Sequence, residues 1–392
     1  MNDASVALVN GRVMTFDASD SVAEAVYIER GVIAAVGSTE SVRARVPDDV
    51  PVVDLGGRVA VPGLIDAHSH VELSTLADHF WVVVRELDVT ATLARLADAV
   101  ARAAPGAWVI GQGTFGQALP TRDQLDAIAP NHPVVVRQSM HAQMANSEAM
   151  RRAGIDRGFV SGVESRILRG SDGEPTGMAE EGFDLFPAPR PSEEALARAL
   201  AAEVHDGWVR HGVTTIHELP ASTGGTRAWQ RLSADDALPC RIVLNPILAP
   251  GHQPTVDSVD SFAKLGFTTG FGDRWLRLGS LKLFLDGVGC AALYHAQLSG
   301  RASGWGLQNF LYLDLVRILA RAREARVQVW MHAIGDAAHS MAMDAIEAVN
   351  VARGNGDHLT RIEHIGLATT DWSTLKRLRE IGAVPVPTAA FM

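Results

Sequence analysis

LIDAHSH, residues 64–70, opens on apolar residues and ends in His68-Ser69-His70. The segment reads as a strand. Side chains two apart on a strand point to the same side, so His68 and His70 share a face. Two imidazoles placed that way can converge on one metal ion, each nitrogen about 2.0–2.1 Å from it. Asp66 shares the face and is a candidate for orienting one of the rings. Taken alone, an HxH pair describes equally well two polar residues at a strand end.

Downstream, strand-like and helix-like segments alternate. Ser192 can cap a helix in which Leu196, Leu200, Val204 and Trp208 recur every fourth residue, with Gly212 placed to end it. VTTIHEL follows as a strand, then CRIVLNPI, LGSLKLFLDG, RVQVWMHAIGD, TRIEHIG and AVPVPT. With LIDAHSH the count is about seven, and amphipathic segments such as DLVRILARAREAR lie between most of them. Nearly continuous apolar strands alternating with helices imply an α/β fold with a parallel sheet, here a (β/α)8 barrel. Barrel enzymes keep their sites at the C-terminal ends of the strands, which is where the HxH pair falls.

Working outward, residues 1–60 read as a small antiparallel layer, one wall of a β-sandwich, with apolar runs flanking Asn10-Gly11, Arg30-Gly31 and Gly56-Gly57. Residues 61–392 read as the barrel domain, interrupted at about 71–190 by an insertion with strands of its own, WVIGQG and HPVVVRQS.

Composition sets outer bounds. The 392 residues carry 35 Lys+Arg against 45 Asp+Glu, and 47% are hydrophobic. A chain of this size and composition buries a large core and is not disordered. The net charge of −10 argues against a general nucleic-acid binder, and a small-molecule substrate is the expectation. Cys240 and Cys290 are too few for a disulfide framework or a Cys-rich zinc module and read as small buried hydrophobes. The N-terminus lacks a basic segment followed by an apolar core, and the longest uncharged stretch, between Arg102 and Arg122, is broken by Gly, Gln, Thr and Pro. A cytoplasmic protein without membrane contact is expected. A homo-oligomer is left open.

Ionisable groups recur at strand ends. His332 ends VQVWMH, His364 ends RIEH, and His217 and Glu218 end VTTIHE; Lys282 lies inside LGSLKLFLD, flanked by leucines. Each alone reads as a satisfied core residue. Together they require several separate burials of costly groups, and one metal centre gives them a single cause. GQGTFG (111–116) spells a dinucleotide fingerprint, but Ala118-Leu119-Pro120 replaces the helix such a site needs. There is no GxSxG elbow and no HExxH helix.

VPGLIDAHSH resembles the PGxIDxHxH signature of the metal-dependent amidohydrolase superfamily, and the chain looks most like its YtcJ-like branch, which includes N-substituted formamide deformylase. HAQMANSEAM (141–150), DGEPTGMAEE (172–181), GVTTIHE (212–218), LKLFLDG (281–287), HAIGD (332–336) and RIEH (361–364) carry the likeness. It implies a distorted (β/α)8 barrel beside a small β-sandwich and one or two divalent metals, usually zinc. By motif position, His68 and His70 would hold the first metal. Lys282, carboxylated by carbon dioxide, would bridge to the second, held by His332 and His364. Burial among leucines would favour the neutral amine that carboxylation needs. The alternative for Lys282 is a plain cation paired with Asp286 or with a substrate carboxylate. His141, Asn146 and His217 are substrate-binding candidates. Glu181 has no assigned role, and Asp336 is expected to cap the helix after His332.

The likeness also implies an aspartate ending an eighth strand. The chain stops at PVPTAAFM, about where a seventh strand ends. We therefore expect a fragment of a longer protein, rather than a chain completed by another or an inactive product, and no catalytic acid/base is named. The function expected is hydrolysis of a C–N bond in an amide, N-substituted formamide or cyclic amide. The alternatives are a one-metal deaminase and a non-catalytic binding or regulatory protein. Tyr294, His295 and Trp305, in the loop 287–310, are placed to shape selectivity or simply to pack.

Overall fold

In the computed structural model, residues 4–162, 165–247, 255–296, 305–353, 360–366 and 372–388 are described. Two four-stranded sheets dominate the C-terminal part. One runs Leu64–Ser69, Val213–Glu218, Arg241–Leu244, Leu276–Leu278, and the other Ser280–Phe284, Gln328–His332, Arg361–Glu363, Val384–Val386. Every pairing in both is parallel.

Gly279 joins the two sheets. Its N–H donates to Leu244 O (2.7 Å), and beyond it Lys282 N donates to Pro246 O (3.1 Å). The stretch 276–284 therefore bends once and serves both sheets. The result is a TIM-barrel-like α/β arrangement. Among the described residues no strand bridges its outer edges, Leu64–Ser69 and Val384–Val386, and no closed barrel forms. Leu64 and Ile65 at the start of the first edge are 56% and 63% exposed, while the rest of that strand is half-buried or buried.

Strand alternation sorts the side chains. Leu281, Leu283, Leu285, Val329, Met331 and Ile362 pack with Leu315, Ile318 and Leu319 of the helix Tyr312–Glu324. Burying each large aliphatic side chain contributes about 1.5–3 kcal/mol, which offsets the cost of a polar interior. Lys282, Trp330, His332, Arg361 and Glu363 occupy the alternate positions and face inward. The leucines flanking Lys282 thus point away from it into the helix layer. The expectation that Lys282 lies among leucines fails because neighbours on a strand face opposite sides.

The helix Glu193–Gly207 forms as its pattern predicts. Ser192 accepts from Ala195 N (3.2 Å) and Leu196, Leu200 and Val204 are buried, but the helix stops at Gly207 with Trp208 at its C-cap, and Gly212 (φ 87°) instead ends the 3-10 turn Val209–His211 that follows. The interval 71–190 carries a six-stranded sheet ordered Arg166–Arg169, Pro175–Glu180, Ala142–Ala145, Val134–Gln138, Val109–Gly113, Val82–Val83.

Residues 1–60 differ from the three expected hairpins. Only Arg30-Gly31 (φ 49° and 76°) makes one, between Ala25–Glu29 and Val32–Gly37. Val6–Val9 and Arg12–Met14 flank Asn10-Gly11 yet belong to different sheets, and Val52–Asp54 and Val59–Ala60 pair with them in parallel. Crowding explains the crossing at Gly11, where a Cβ would lie 2.8 Å from Leu55 Cβ and 2.9 Å from Arg58 O. No described helix is long and apolar enough to cross a membrane.

Candidate active site

The strand ends bring five imidazoles into one arc. Ring centroids lie 5.4 Å apart for His68 and His70, 4.8 Å for His68 and His364, and 4.7 Å for His332 and His364. His141, from the interval 71–190, stands 6.2 Å from His332. Four separate elements thus contribute to a patch that sequence spacing could only suggest. Among the described residues, no three His, Cys, Asp or Glu side chains are already closed around a common point as a metal site.

The interior charges explain the protonation states. Lys282 is fully buried, its Nζ has no hydrogen-bond partner, and burial lowers its pKa to about 8. Burial, then the Lys282 and Arg361 charges, push His68 down to about 2. His70, His332 and His364 are driven well below the ordinary range, in each case first by burial. All four rings are therefore held neutral, the state a metal ligand needs. His68 Nε2 and His332 Nε2 are buried without a hydrogen-bond partner. Such orphaned atoms are uncommon in a finished interior.

Glu363 orients the arc, a role sequence spacing had offered to Asp66. Its Oε2 lies 2.5 Å from His68 Nδ1, and Arg361 Nε and Nη2 donate to the same carboxylate at 2.8 and 3.1 Å. Arg361 Nη2 also donates to Ala67 O (2.8 Å), tying the strand Arg361–Glu363 across to Leu64–Ser69. Its guanidinium lies 3.4 Å over the Trp330 ring. Asp66 instead accepts from Ser69 Oγ, from Trp208 Nε1 (2.7 Å) and from the His68 backbone N–H (3.2 Å). It turns away from the rings.

Glu218 has a second positioning role. The helix Val71–His79 starts directly after His70, which supplies no side-chain cap. Glu218 accepts instead from Val71 N (2.7 Å) and Glu72 N (3.0 Å). Burial raises Glu218 to about 8. Its neighbour His217 stacks on Trp330 (5.4 Å, 21°) and is lowered to about 4, mainly by burial.

His141 pairs through Nδ1 with Glu181 (3.0 Å to Oε2), and Glu181 Oε1 accepts from Val288 N (2.8 Å). Asn146 is not at the site. It sits at the other end of the strand Ala142–Ala145, caps the helix Ser147–Ala153 and is fully buried. Its Oδ1 accepts from Val134 N (3.0 Å) and Ala149 N (2.9 Å), and its Nδ2 donates to Ala129 O and His132 O. These backbone bonds leave nothing for a substrate.

Asp286 does not pair with Lys282. It accepts from Leu293 N, Ile334 N and Gly335 N at 2.8–3.0 Å and stands 3.7 Å from His332 Nε2. Asp336 is the first residue of the helix Asp336–Arg353, and its carboxylate accepts from His295 N (3.0 Å). It anchors the preceding loop as well as opening the helix. Residues 297–304 of that loop lie outside the described residues, as does the side chain of Cys290; Cys240 is buried.

The model of the Amidohydrolase family matches residues 51–391. The chain belongs to this family. Among its relatives are Protein LONG AFTER FAR-RED 3 of Arabidopsis thaliana, 30% identical over 92% of the chain, and N-substituted formamide deformylase of Arthrobacter pascens, 26% identical over 96%. The Bacillus subtilis protein YtcJ is 29% identical over 86% of the chain, which supports the YtcJ-like branch. The chain spans 64%, 71% and 64% of these relatives' own lengths. The fold is shared with a metal-dependent hydrolase of Pyrococcus horikoshii (TM-score 0.71, 22% identity, 97% of this chain and 74% of that one).

Proposed function

We propose that this amidohydrolase-family chain carries the metal-binding part of a hydrolase that cleaves a C–N bond in an amide, N-substituted formamide or cyclic amide. One observation carries the reading. Three buried nitrogens without hydrogen-bond partners, His68 Nε2, Lys282 Nζ and His332 Nε2, come from three strands and lie in one polar interior. A divalent cation, zinc by donor type, fits this set of neutral imidazoles. His68 and His70 would hold one such cation and His332 and His364 a second where two are bound, with Lys282 as a carboxylated ligand shared by both. The lowered pKa of Lys282 supplies the neutral amine that carboxylation by carbon dioxide requires.

When bound, the metal supplies Lewis acidity and lowers the pKa of water from about 15.7 toward about 7. The chain's own residues do the rest. Glu363 fixes the proton of His68 on Nδ1 and leaves Nε2 to face inward. Glu181 engages His141 Nδ1, so His141 Nε2 is the nitrogen left to meet the substrate or the departing amine. His217, stacked on Trp330, forms part of the substrate wall. Asn146 takes no part.

The test is metal content by mass spectrometry, carbon-13 NMR of protein prepared with labelled bicarbonate, and turnover of a panel of small N-formyl amines, with and without chelator. Zinc uptake, a carbamate signal lost in Lys282→Met, and chelator-sensitive hydrolysis support the reading. One metal with a free amine would favour the deaminase. Absence of zinc uptake by folded protein would overturn the proposal.

A further inference from the structure

A second polar feature lies apart from the imidazole arc. Arg137, on the strand Val134–Gln138, is only 4% exposed. Its guanidinium lies 3.8 Å over the Phe183 ring and 4.6 Å from the Trp81 ring. Nη2 donates to Phe183 O (3.3 Å), while Nε and Nη1 are buried without partners. A buried guanidinium ordinarily has an ionic partner, because an unpaired interior charge is costly.

The carboxylate that shares the cavity, Asp184, is already taken, and so is Glu72 beyond it. Arg190 Nη2 binds Asp184 (3.0 Å) and Arg190 Nη1 binds Glu72 (3.3 Å). Glu72 also accepts from Ser222 N and Ser222 Oγ. Arg137 has only the more distant field of Asp184, set against that of Arg190.

Arg137 borders a cavity of about 140 Å³ walled by Leu76, Trp81, Phe186, Pro187 and Pro189, with the Arg190–Asp184 ion pair at its side. None of its lining residues belongs to the imidazole arc. A small chamber with apolar walls, in which the charges of Arg190 and Asp184 offset each other and Arg137 is left as the cation without an ionic partner, has the character of a receptor for an organic anion. Apolar walls favour a hydrocarbon body over a free inorganic ion, and the guanidinium supplies donors suited to a planar carboxylate.

We propose that this cavity is a binding site for a small carboxylic acid with an apolar body, its carboxylate meeting Arg137. Two walls of the cavity continue into the candidate active site. The helix Val71–His79, which carries Leu76, starts after His70, and the segment bearing Phe186 and the two prolines follows Glu181. An acid lodged there would brace both.

The probe is benzoate, titrated calorimetrically into the chain in the presence of EDTA, with benzamide as the neutral control. EDTA removes any contribution from a metal, so this outcome is independent of the hydrolase reading. Saturable one-to-one binding of benzoate, weaker by about tenfold or more for benzamide and for Arg137→Met, is expected. Arg137→Lys retains part of the affinity. Ala188→Trp fills the chamber and abolishes binding while leaving Arg137 in place. If benzoate and benzamide behave alike, or the folded chain binds neither, the cavity is merely hydrated and the proposal is overturned.

Discussion

Replacing Glu363 with glutamine keeps the volume of the side chain and removes its charge. Glu363 is 0% exposed, with Arg361 and His68 at 9% and 12%. Its carboxylate accepts from His68 Nδ1 and from two nitrogens of Arg361. Losing one partner of a buried ion pair typically costs about 3–5 kcal/mol, and the amide oxygen retains one acceptor, so about 3 kcal/mol is expected in urea unfolding of metal-free Glu363→Gln. The amide also brings a donor where two donors already converge. If Arg361 keeps the oxygen, the amide N–H faces His68 Nδ1, and the ring must move its proton to Nε2. That nitrogen then cannot ligate a metal. Zinc affinity, measured by competition with a chromophoric chelator, should fall about 10–100-fold. Nitrogen-15 NMR of the metal-free protein should show the His68 proton shifting from Nδ1 to Nε2. A variant that unfolds like the parent, keeps the Nδ1–H form and holds zinc equally well would refute the reasoning.

Lys282→Met should leave the metal-free protein as stable as the parent or up to about 4 kcal/mol more so, because it replaces a buried amine that has no hydrogen-bond partner and only the Phe284 ring at 5.0 Å; a clear fall in its melting temperature would count against that view. Asn146→Ala removes a helix cap and strands Val134 N–H, so a loss of about 2–4 kcal/mol is expected in chemical denaturation, with zinc affinity unchanged. Glu218 has a pKa raised from 4.5 to about 8, so between those values the folded state keeps a proton that the unfolded chain has lost. Its contribution is therefore full at low pH and is lost as pH rises through about 8, and Glu218→Gln should narrow the difference between urea midpoints measured at about pH 5 and about pH 8.

Much of the barrel-like part was legible because apolar strands ending in His68, His217 and His332 announce both their period and their polar ends. Two strands of the six-stranded sheet in the interval 71–190 were foreshadowed by WVIGQG and HPVVVRQS. The partners of those histidines were not legible. Glu363 stands 295 residues from His68, and nothing local to RIEH shows that its Glu faces another strand's ring. Asn10-Gly11 carries a strong hairpin signal, but a turn motif fixes local φ and says nothing about which sheet receives the next strand. For Asn146 the local sequence does carry the sign. An Asn followed by Ser-Glu-Ala is a helix start, and the side chain is consumed there. The Arg137 cavity left no trace in the sequence, since its walls come from three distant segments.

The carboxylate of Glu218 seals the beginning of the helix that follows His70, although 147 residues separate Glu218 from Val71. The bend presenting His70 is therefore locked by a neighbouring stave rather than by the excursion of chain between them. Lengthening a closed excursion raises its entropic cost only logarithmically, by about 0.6 kcal/mol per doubling. The intervening chain can consequently be lengthened at small entropic cost away from His141 and Glu181, while the histidine-bearing bend keeps its geometry.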